Sequence, residues 1–211
     1  MPLLGPDTAY IFRITHVDNV PWILEHGLHC QNGANDPNFI SIGMETLIRK
    51  RSTHPVLIGP RGMLSDYVPF YFTPWSIMLY NIKTGFNDVT RRPNREIAII
   101  VSSLFGLQKT KTPFVFTNGH AYMAGTDYFE DLAELSQIDW KILRQRDFQK
   151  NPDDPGKLGR YQAEALAHRH VPVDALSGIV CYDVASAGRI DAEARARRIS
   201  IAVKCLPEWY F

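Results

Sequence analysis

The side chain in this sequence best placed for chemistry is Glu164, set in Arg160-Tyr161-Gln162-Ala163-Glu164-Ala165-Leu166-Ala167-His168-Arg169-His170. An acid inside an apolar run must find a partner or shift its pKa, because an unpaired buried charge is costly. Guanidinium groups at Arg160 and Arg169 flank it, a breaker-rich loop from Asn151 to Gly159 precedes it, and Val171-Pro172 closes the segment. Read as a helix, Arg160, Glu164 and His168 share a face at i, i+4 spacing. Read as a strand, Gln162, Glu164, Leu166 and His168 share a face at period two. Both readings aim Glu164 and His168 the same way. Both also leave open whether Glu164 is a reactive carboxylate or half of a structural ion pair.

Further candidates are spread along the chain. Arg49-Lys50-Arg51 ends a helical stretch, Glu45 to Arg51. The run is either a solvated face or a mount for one arginine turned inward to grip phosphate bidentately, which lysine does poorly. His16 stands where the strand Tyr10 to Thr15 meets a short helix capped by Asp18 or Asn19, which Gly27 ends in the left-handed conformation. The histidine either caps or meets a ligand. Residues 65–80 hold six aromatics, two prolines and one methionine. Part of this segment must be core, but its prolines argue against a central strand, so some rings are expected on loops or strand ends. Rings displayed beside cations hold unpaired bases, each stack contributing about 1–3 kcal/mol. Arg91-Arg92-Pro93-Asn94-Arg95 forms a basic turn, and Thr117-Asn118-Gly119-His120-Ala121-Tyr122-Met123 presents His and Tyr after a strand.

These positions need a scaffold of many short strands with scattered helices. Strands are expected at 10–15, 39–42, 96–101, 113–116, 178–182 and 199–204, and helices at 45–51, 128–135, 139–146 and 190–198, with one turn at 173–177. Such alternation without repeats or a linker implies one mixed α+β domain over residues 1–211. The chain is long enough for an unstapled core, and its 45% apolar and 21% charged residues are those of a globular protein. Net charge is +1, from 23 basic and 22 acidic residues. That excludes purely electrostatic DNA binding but leaves room for a local basic groove. Cys30, Cys181 and Cys205 form no C-x-x-C pair, so neither a disulfide framework nor a zinc ribbon is expected. His26-x-x-His29 and His168-x-His170 lack a carboxylate at ligand spacing, and no metal site is expected. Neither G-x-x-x-x-G-K-S/T, a strand-borne G-x-G-x-x-G, nor G-x-S-x-G occurs. The first residues, 1–7, lack the features of a signal peptide, and no apolar run is long enough to span a bilayer, so a cytoplasmic protein is expected.

Three blocks together resemble the DarT family. They are His16-x-x-Asn19-x-x-x-Ile23-Leu24-x-x-Gly27-Leu28, then Asp66-Tyr67-Val68-Pro69-Phe70-Tyr71-Phe72-x-Pro74-x-Ser76-Ile77-Met78-Leu79-Tyr80, and Arg160-x-Gln162-Ala163-Glu164 followed by Pro172. The likeness runs from about residue 10 to Phe211. DarT proteins are toxins of DarT–DarG toxin–antitoxin systems that ADP-ribosylate bases of single-stranded DNA with NAD. The resemblance implies the ADP-ribosyltransferase fold, a split β-sheet decorated by helices, and a strand around Glu164. It implies catalytic roles for Glu164 and Arg51, and NAD contacts from His16, Asn19, Gly27, Leu28 and Arg51. Tyr71, Met78, Arg92, His120, Tyr122 and Arg160 become candidates for the DNA side. Thymine is the expected base, NAD the co-substrate with no metal, and a DarG-like macrodomain antitoxin the expected partner. Breaking the nicotinamide–ribose bond creates an oxocarbenium-like centre, where a nearby carboxylate gains most in the transition state.

The chain departs from the family pattern in three places. The basic cluster before Gln162-Ala163-Glu164 is thin, Ala165-Leu166-Ala167 replaces bulkier residues, and Trp75 stands where a basic or small residue is usual. These changes bear on target base and sequence context. Transfer to RNA or protein, and a non-catalytic single-strand binder, are the competing readings.

Overall fold

The computed structural model describes residues 3–34 and 36–211; Met1 and Pro2 of the N-terminal stretch and Asn35 of the polar loop 30–38 lie outside the described residues. In chain order the strands are β1 (Tyr10–His16), β2 (Leu28–His29), β3 (Pro55–Val56), β4 (Gly62–Met63), β5 (Tyr67–Tyr71) and β6 (Ile97–Ser103). They continue as β7 (Phe114–Thr117), β8 (Tyr128–Phe129), β9 (Glu164–His168), β10 (His170–Val171), β11 (Gly178–Cys181) and β12 (Ala202–Cys205). The helices are α1 (Val20–His26), α2 (Glu45–Arg51), α3 (Ile77–Thr84), α4 (Leu104–Lys109), α5 (Trp140–Gln145), α6 (Lys157–Tyr161) and α7 (Val184–Ala196).

Eight strands form one sheet in the order β12-β11-β6-β1-β5-β9-β7-β8, mixed because β11 and β12 run parallel while their neighbours are antiparallel. The unbroken apolar run of β6 is buried almost throughout, since strands flank it on both sides and helices cover it. β1 follows β6 over seven rungs, from Tyr10↔Ser103 to His16↔Ile97. On its other side β1 meets β5 at one rung only, Phe12↔Tyr71. β5 then pairs with β9 over five rungs, from Tyr67↔His168 to Tyr71↔Glu164. The sheet is therefore two half-sheets joined at Tyr71 and splayed apart beyond it. This is the split α+β architecture that the resemblance implies.

The split explains a departure from expectation. Pro69 lies inside β5, an interior strand, although proline removes a ladder donor. In a strand the N–H and C=O of one residue face the same edge, and the Pro69 carbonyl faces the gap, where it accepts from Arg13 Nη1 at 2.8 Å. The missing N–H thus falls on the splayed edge, where no partner strand requires it. Most of the neighbouring rings are core after all. Tyr67, Phe70, Phe72 and Trp75 are buried, with Phe72 edge-on to Trp140 and Phe116.

Several other expectations shift. Residues 39–42 form no strand; Asn19 holds them instead, accepting Ile40 N–H at 2.9 Å and donating to Ile40 O at 2.9 Å. That use of its side chain is why Asn19 does not cap α1, and His16 caps the preceding turn through Nδ1, which accepts Asp18 N–H at 3.2 Å. Residues 128–135 are strand β8 and a 3-10 turn rather than a helix. α7 starts earlier than expected because Asp183 caps it, accepting Ser186 N–H at 2.7 Å. The last strand starts only at Ala202.

Gly27 ends α1 with φ 77° and ψ −167°, positive in φ but extended rather than left-handed helical. The turn presses β2 against β10, and a Cβ at Gly27 would lie 2.3 Å from the Val171 carbonyl oxygen. Gly27→Ala is expected to lower stability by about 1–3 kcal/mol through strain alone, read as a fall in the denaturant midpoint with unchanged slope. An unaltered midpoint would show that the turn relaxes freely.

Candidate active site

Glu164 opens β9 directly after the α6 turn, on the rung opposite Tyr71 where the half-sheets meet. The residue is buried, 3% exposed, and the groups that hold its carboxylate come from distant parts of the chain. Oε2 accepts from Arg51 Nη1 at 2.9 Å, and Oε1 accepts from the Ala121 backbone N–H at 3.0 Å. His120 Nδ1 lies 3.7 Å from Oε1 and accepts the Tyr122 N–H at 3.2 Å. Burial alone would raise the Glu164 pKa, but the Arg51 charge, the His120 ring and the two hydrogen bonds outweigh it. The carboxyl sits below its ordinary range and is ionised at neutral pH.

Backbone order around Glu164 comes from the loop between β7 and β8. Glu164 N–H donates to Thr117 Oγ1 at 3.0 Å, and that hydroxyl donates to the Gly119 carbonyl at 2.6 Å. His120 N–H donates to Gly159 O at 3.1 Å, so the loop is tied to α6, the element that delivers Glu164. Arg51 arrives from the far side, as the last residue of α2. It is the inward-turned member of its basic run, 9% exposed, while Arg49 and Lys50 face solvent. Its Nη2 is buried and has no hydrogen-bond partner.

Two cavities adjoin at Arg51, and Glu164 lines the larger of them. The larger, ≈ 520 Å³, is lined by Glu164, Arg51, Tyr71, Met78, His120 and Tyr122 among others. The smaller, ≈ 360 Å³, is lined by Gly27, Leu28, Trp22 and His29 on one side. Arg13, Thr15, Pro69 and Arg51 line both, so the guanidinium groups stand on the partition. Arg13 is pushed down to about 10 by burial and by Arg51, partly offset by Tyr71, and remains a cation at neutral pH. Tyr71 is pushed up to about 12 by burial and Glu164, against the two arginines, and stays a neutral phenol. Arg13, Lys50 and Arg51 against Glu164 make the larger cavity cationic, although the chain as a whole is nearly neutral.

The structure thus gathers Glu164, Arg51, Tyr71, Met78, His120 and Tyr122 around one space, and Gly27 and Leu28 around the adjoining one. Asn19 lines neither cavity, but it anchors the loop whose Phe39 and Ser41 line both. Other expected positions lie apart. His16 and Arg92 line a separate open depression, both facing Glu96 Oε2, at 3.7 and 3.3 Å. Arg160 is bound by Asp154 on both terminal nitrogens, at 3.0 and 2.6 Å, and by Asp139 through Nε at 3.2 Å. It braces the 151–159 loop. Helix α6 ends at Tyr161, so Arg160 and Glu164 share no helical face.

Sequence reasoning missed Arg13, Thr117 and the Ala121 N–H. Arg13 had a visible signal, a lone cation inside the alternating strand Ile11-Phe12-Arg13-Ile14. The Ala121 contribution is a backbone group and carries no residue-type signal.

Residues 12–211 match the family described as "DarT: ssDNA thymidine ADP-ribosyltransferase, DarT". A DNA ADP-ribosyl transferase of Escherichia coli O127:H6 is 49% identical over 209 residues, covering 99% of this chain and 96% of that protein. The structure of Thermus sp. 2.9 DarT in complex with ADP-ribosylated ssDNA superposes with a TM-score of 0.90 at 29% identity, over 100% of both chains. The same Thermus protein in complex with NAD+ gives 0.86 at 30% identity, over 98% of this chain and 99% of that one. A DNA ADP-ribosyl transferase-DNA ADP-ribosyl glycohydrolase fusion protein of Thermosipho africanus is 23% identical over 198 residues, which are 93% of this chain and 48% of that protein. A family match across nearly the whole chain, joined to a relative of near-equal length at 49% identity, settles membership. The chain belongs to the DarT family of single-stranded-DNA thymidine ADP-ribosyltransferases.

Proposed function

We propose that this protein transfers ADP-ribose from NAD to a base of single-stranded DNA, thymine being the base, and that Glu164 and Arg51 carry the reaction. The observation that supports this reading best is a buried, ionised Glu164 on the wall of the larger cavity, gripped by Arg51, which lines both cavities and keeps one donor unpaired.

The chemistry that NAD supplies is a ribose carbon bearing nicotinamide as leaving group. Fit to its pyrophosphate is suggested by the cationic partition, where Arg51 Nη2 is a buried donor lacking an acceptor. Arg13 and Arg51 hold phosphate, and the smaller cavity, with Gly27 and Leu28 on its wall, takes the adenosine side. Tyr71, Tyr122 and Met78 hold an unpaired base in the larger cavity, stacking being worth about 1–3 kcal/mol per base. An unpaired strand also avoids the few kcal/mol of extracting a base from a duplex. Positioning both substrates beside Glu164 supplies the proximity contribution.

Glu164 faces the positive charge that develops at the ribose carbon as the nicotinamide bond breaks. Its lowered pKa makes it a reliable anion but a weak base, since proton transfer is best served by a pKa near the working pH. Electrostatic stabilisation is therefore its main task, with uptake of the thymine ring proton secondary. His16 and Arg92, in their separate depression, and the exposed edge of Arg160 contact the extended substrates outside the two cavities. As a toxin acting on the cell's own DNA, the protein works in the cytoplasm and is restrained by a macrodomain enzyme that removes ADP-ribose from DNA. No helix among the described residues is long and apolar enough to cross a membrane.

Incubating the protein with NAD and short single-stranded oligonucleotides is expected to add the mass of one ADP-ribose where thymine is present. An oligonucleotide carrying 3-methylthymine, which lacks the ring N–H, is expected to stay unmodified. Unchanged masses across varied thymine-containing sequences would refute the reading.

A further inference from the structure

Among the described residues on the wall of the larger cavity, Asn81 carries a buried side-chain acceptor that no protein group satisfies. It lies on α3, on the same face as Ile77 and Met78, and is 4% exposed. Its Oδ1 is buried and has no hydrogen-bond partner. Around it the wall is apolar, with Ile14, Ile77, Met78 and Phe86. A leucine would leave no unpaired polar atom there, whereas a buried amide oxygen left unpaired destabilises the fold. An unsatisfied acceptor in a substrate cavity marks a group waiting for a donor that arrives with the ligand.

Which ligand supplies the donor follows from chemistry. DNA sugars and phosphates carry no N–H or 2′-OH, so on a deoxyribose strand only the bases donate. NAD also carries donors, and its nicotinamide ribose must reach Glu164 in this same cavity. What favours a base is that Asn81 shares the cavity with the aromatic rings of Tyr71, Tyr122 and Phe86, and NAD affinity of an Asn81 variant separates the two donors. Stacking rings beside an unpaired amide make a site for a base edge, with stacking giving affinity and the amide giving selection.

We propose that Asn81 is a specificity-determining residue: its side-chain amide reads a base of the bound strand, Oδ1 accepting from a base N–H inside the larger cavity. The inference rests on the transfer reaction proposed above. It assigns Asn81 no part in bond breaking, so the residue governs which strand is modified and leaves the chemical step to Glu164.

The test uses the full chain, NAD, and a panel of short oligonucleotides varied one position at a time at and around the modified base. Asn81→Leu is expected to unfold at the wild-type temperature or ~2 °C or more above it, since it removes an unpaired buried polar group. Its NAD affinity is expected to stay within about twofold of wild type. Its preference between the best and next-best oligonucleotide is expected to shrink on the order of tenfold, mostly through KM. Asn81→Asp keeps the acceptor oxygen and is expected to retain the wild-type order of preference. Because the one N–H of the modified thymine is the proton lost on transfer, discrimination is expected to be lost at a neighbouring position of the strand. Wild-type discrimination in Asn81→Leu, or a loss of NAD affinity with discrimination intact, overturns the proposal. A marked drop in unfolding temperature also overturns it, because Asn81 would then be structural. A wild-type protein that modifies no oligonucleotide overturns the transfer reading itself, and this inference with it.

Discussion

Glu164→Gln is expected to yield a folded protein that binds NAD but transfers ADP-ribose on the order of 10²–10³-fold more slowly, the loss falling on kcat and not on KM. Glutamine is nearly isosteric, and its carbonyl oxygen can still accept the Ala121 N–H at the position where Oε1 accepts it at 3.0 Å. The backbone bond from Glu164 N to Thr117 Oγ1 is independent of the side chain. The negative charge is removed and with it the Arg51 ion pair, since an amide nitrogen at the Oε2 place cannot accept from Arg51 Nη1. The separate NAD-binding measurement distinguishes that ground-state loss from the loss of transition-state stabilisation. The measurement is single-turnover transfer to a thymine-containing oligonucleotide, with NAD binding measured separately. A rate within tenfold of wild type would remove Glu164 from the chemistry and leave it as a structural ion-pair partner.

How far the sequence predicted this site depends on which link is asked about. The composition of 160–170 marks Glu164 as an acid needing a partner, but helix and strand spacing give the same direction for His168, so the segment type stays open. The structure resolves it with both: a short helix through Tyr161, a turn, then a strand. Periodicity averages over such a change because neither piece is long enough to establish its own period. Arg51 shows the opposite limit. Three adjacent basic residues are locally equivalent, and only the packing of α2 against the rest of the chain turns one of them inward.

Pro69 shows why a sound local rule fails. Proline is unfit for an interior strand only if its N–H edge is paired, and whether that edge is paired is a property of the whole sheet. In this fold the sheet splits there, so the residue that argues against a strand marks the line along which the cavities open. The same tertiary dependence hid Ala121 and Asn81, one contributing a backbone N–H and the other an amide on an otherwise apolar helix face. Arg160 shows a further limit: proximity in sequence to Glu164 suggests a shared surface, whereas Asp139 and Asp154 supply nearer carboxylates and turn it toward the loop it closes.

Arg51→Ala is expected to reverse the sign of the pH dependence of stability that arises from Glu164. In the wild-type protein burial raises the Glu164 pKa, but Arg51, His120 and the two hydrogen bonds lower it further, leaving the folded value below the unfolded one. That stabilisation is present above the unfolded pKa and is lost as pH falls through the folded value, so acidification weakens the fold. Arg51 supplies two of the four lowering influences, its charge and its hydrogen bond. Without it burial is opposed only by His120 and the Ala121 N–H, and the folded pKa is expected to rise above the unfolded one. The carboxyl then destabilises the fold increasingly as pH rises from the unfolded pKa through the folded one, and mild acidification strengthens it. Leaving a buried charge without its partner costs about 3–5 kcal/mol at neutral pH, which corresponds to a fall of roughly 6–20 °C in Tm for a chain of this size. Thermal unfolding of both proteins from about pH 2 to 8 reads the outcome. The wild type should keep this contribution down to the ordinary carboxylate range and lose Tm only below it, while Arg51→Ala should gain Tm on mild acidification. Parallel profiles would mean that Glu164 does not depend on Arg51 for its charge, and that the partition between the two cavities is held by other groups. Arg51→Ala/Glu164→Gln removes both charges and should recover most of the lost stability without recovering transfer, which separates the cost of an unpaired carboxylate from the loss of the reaction.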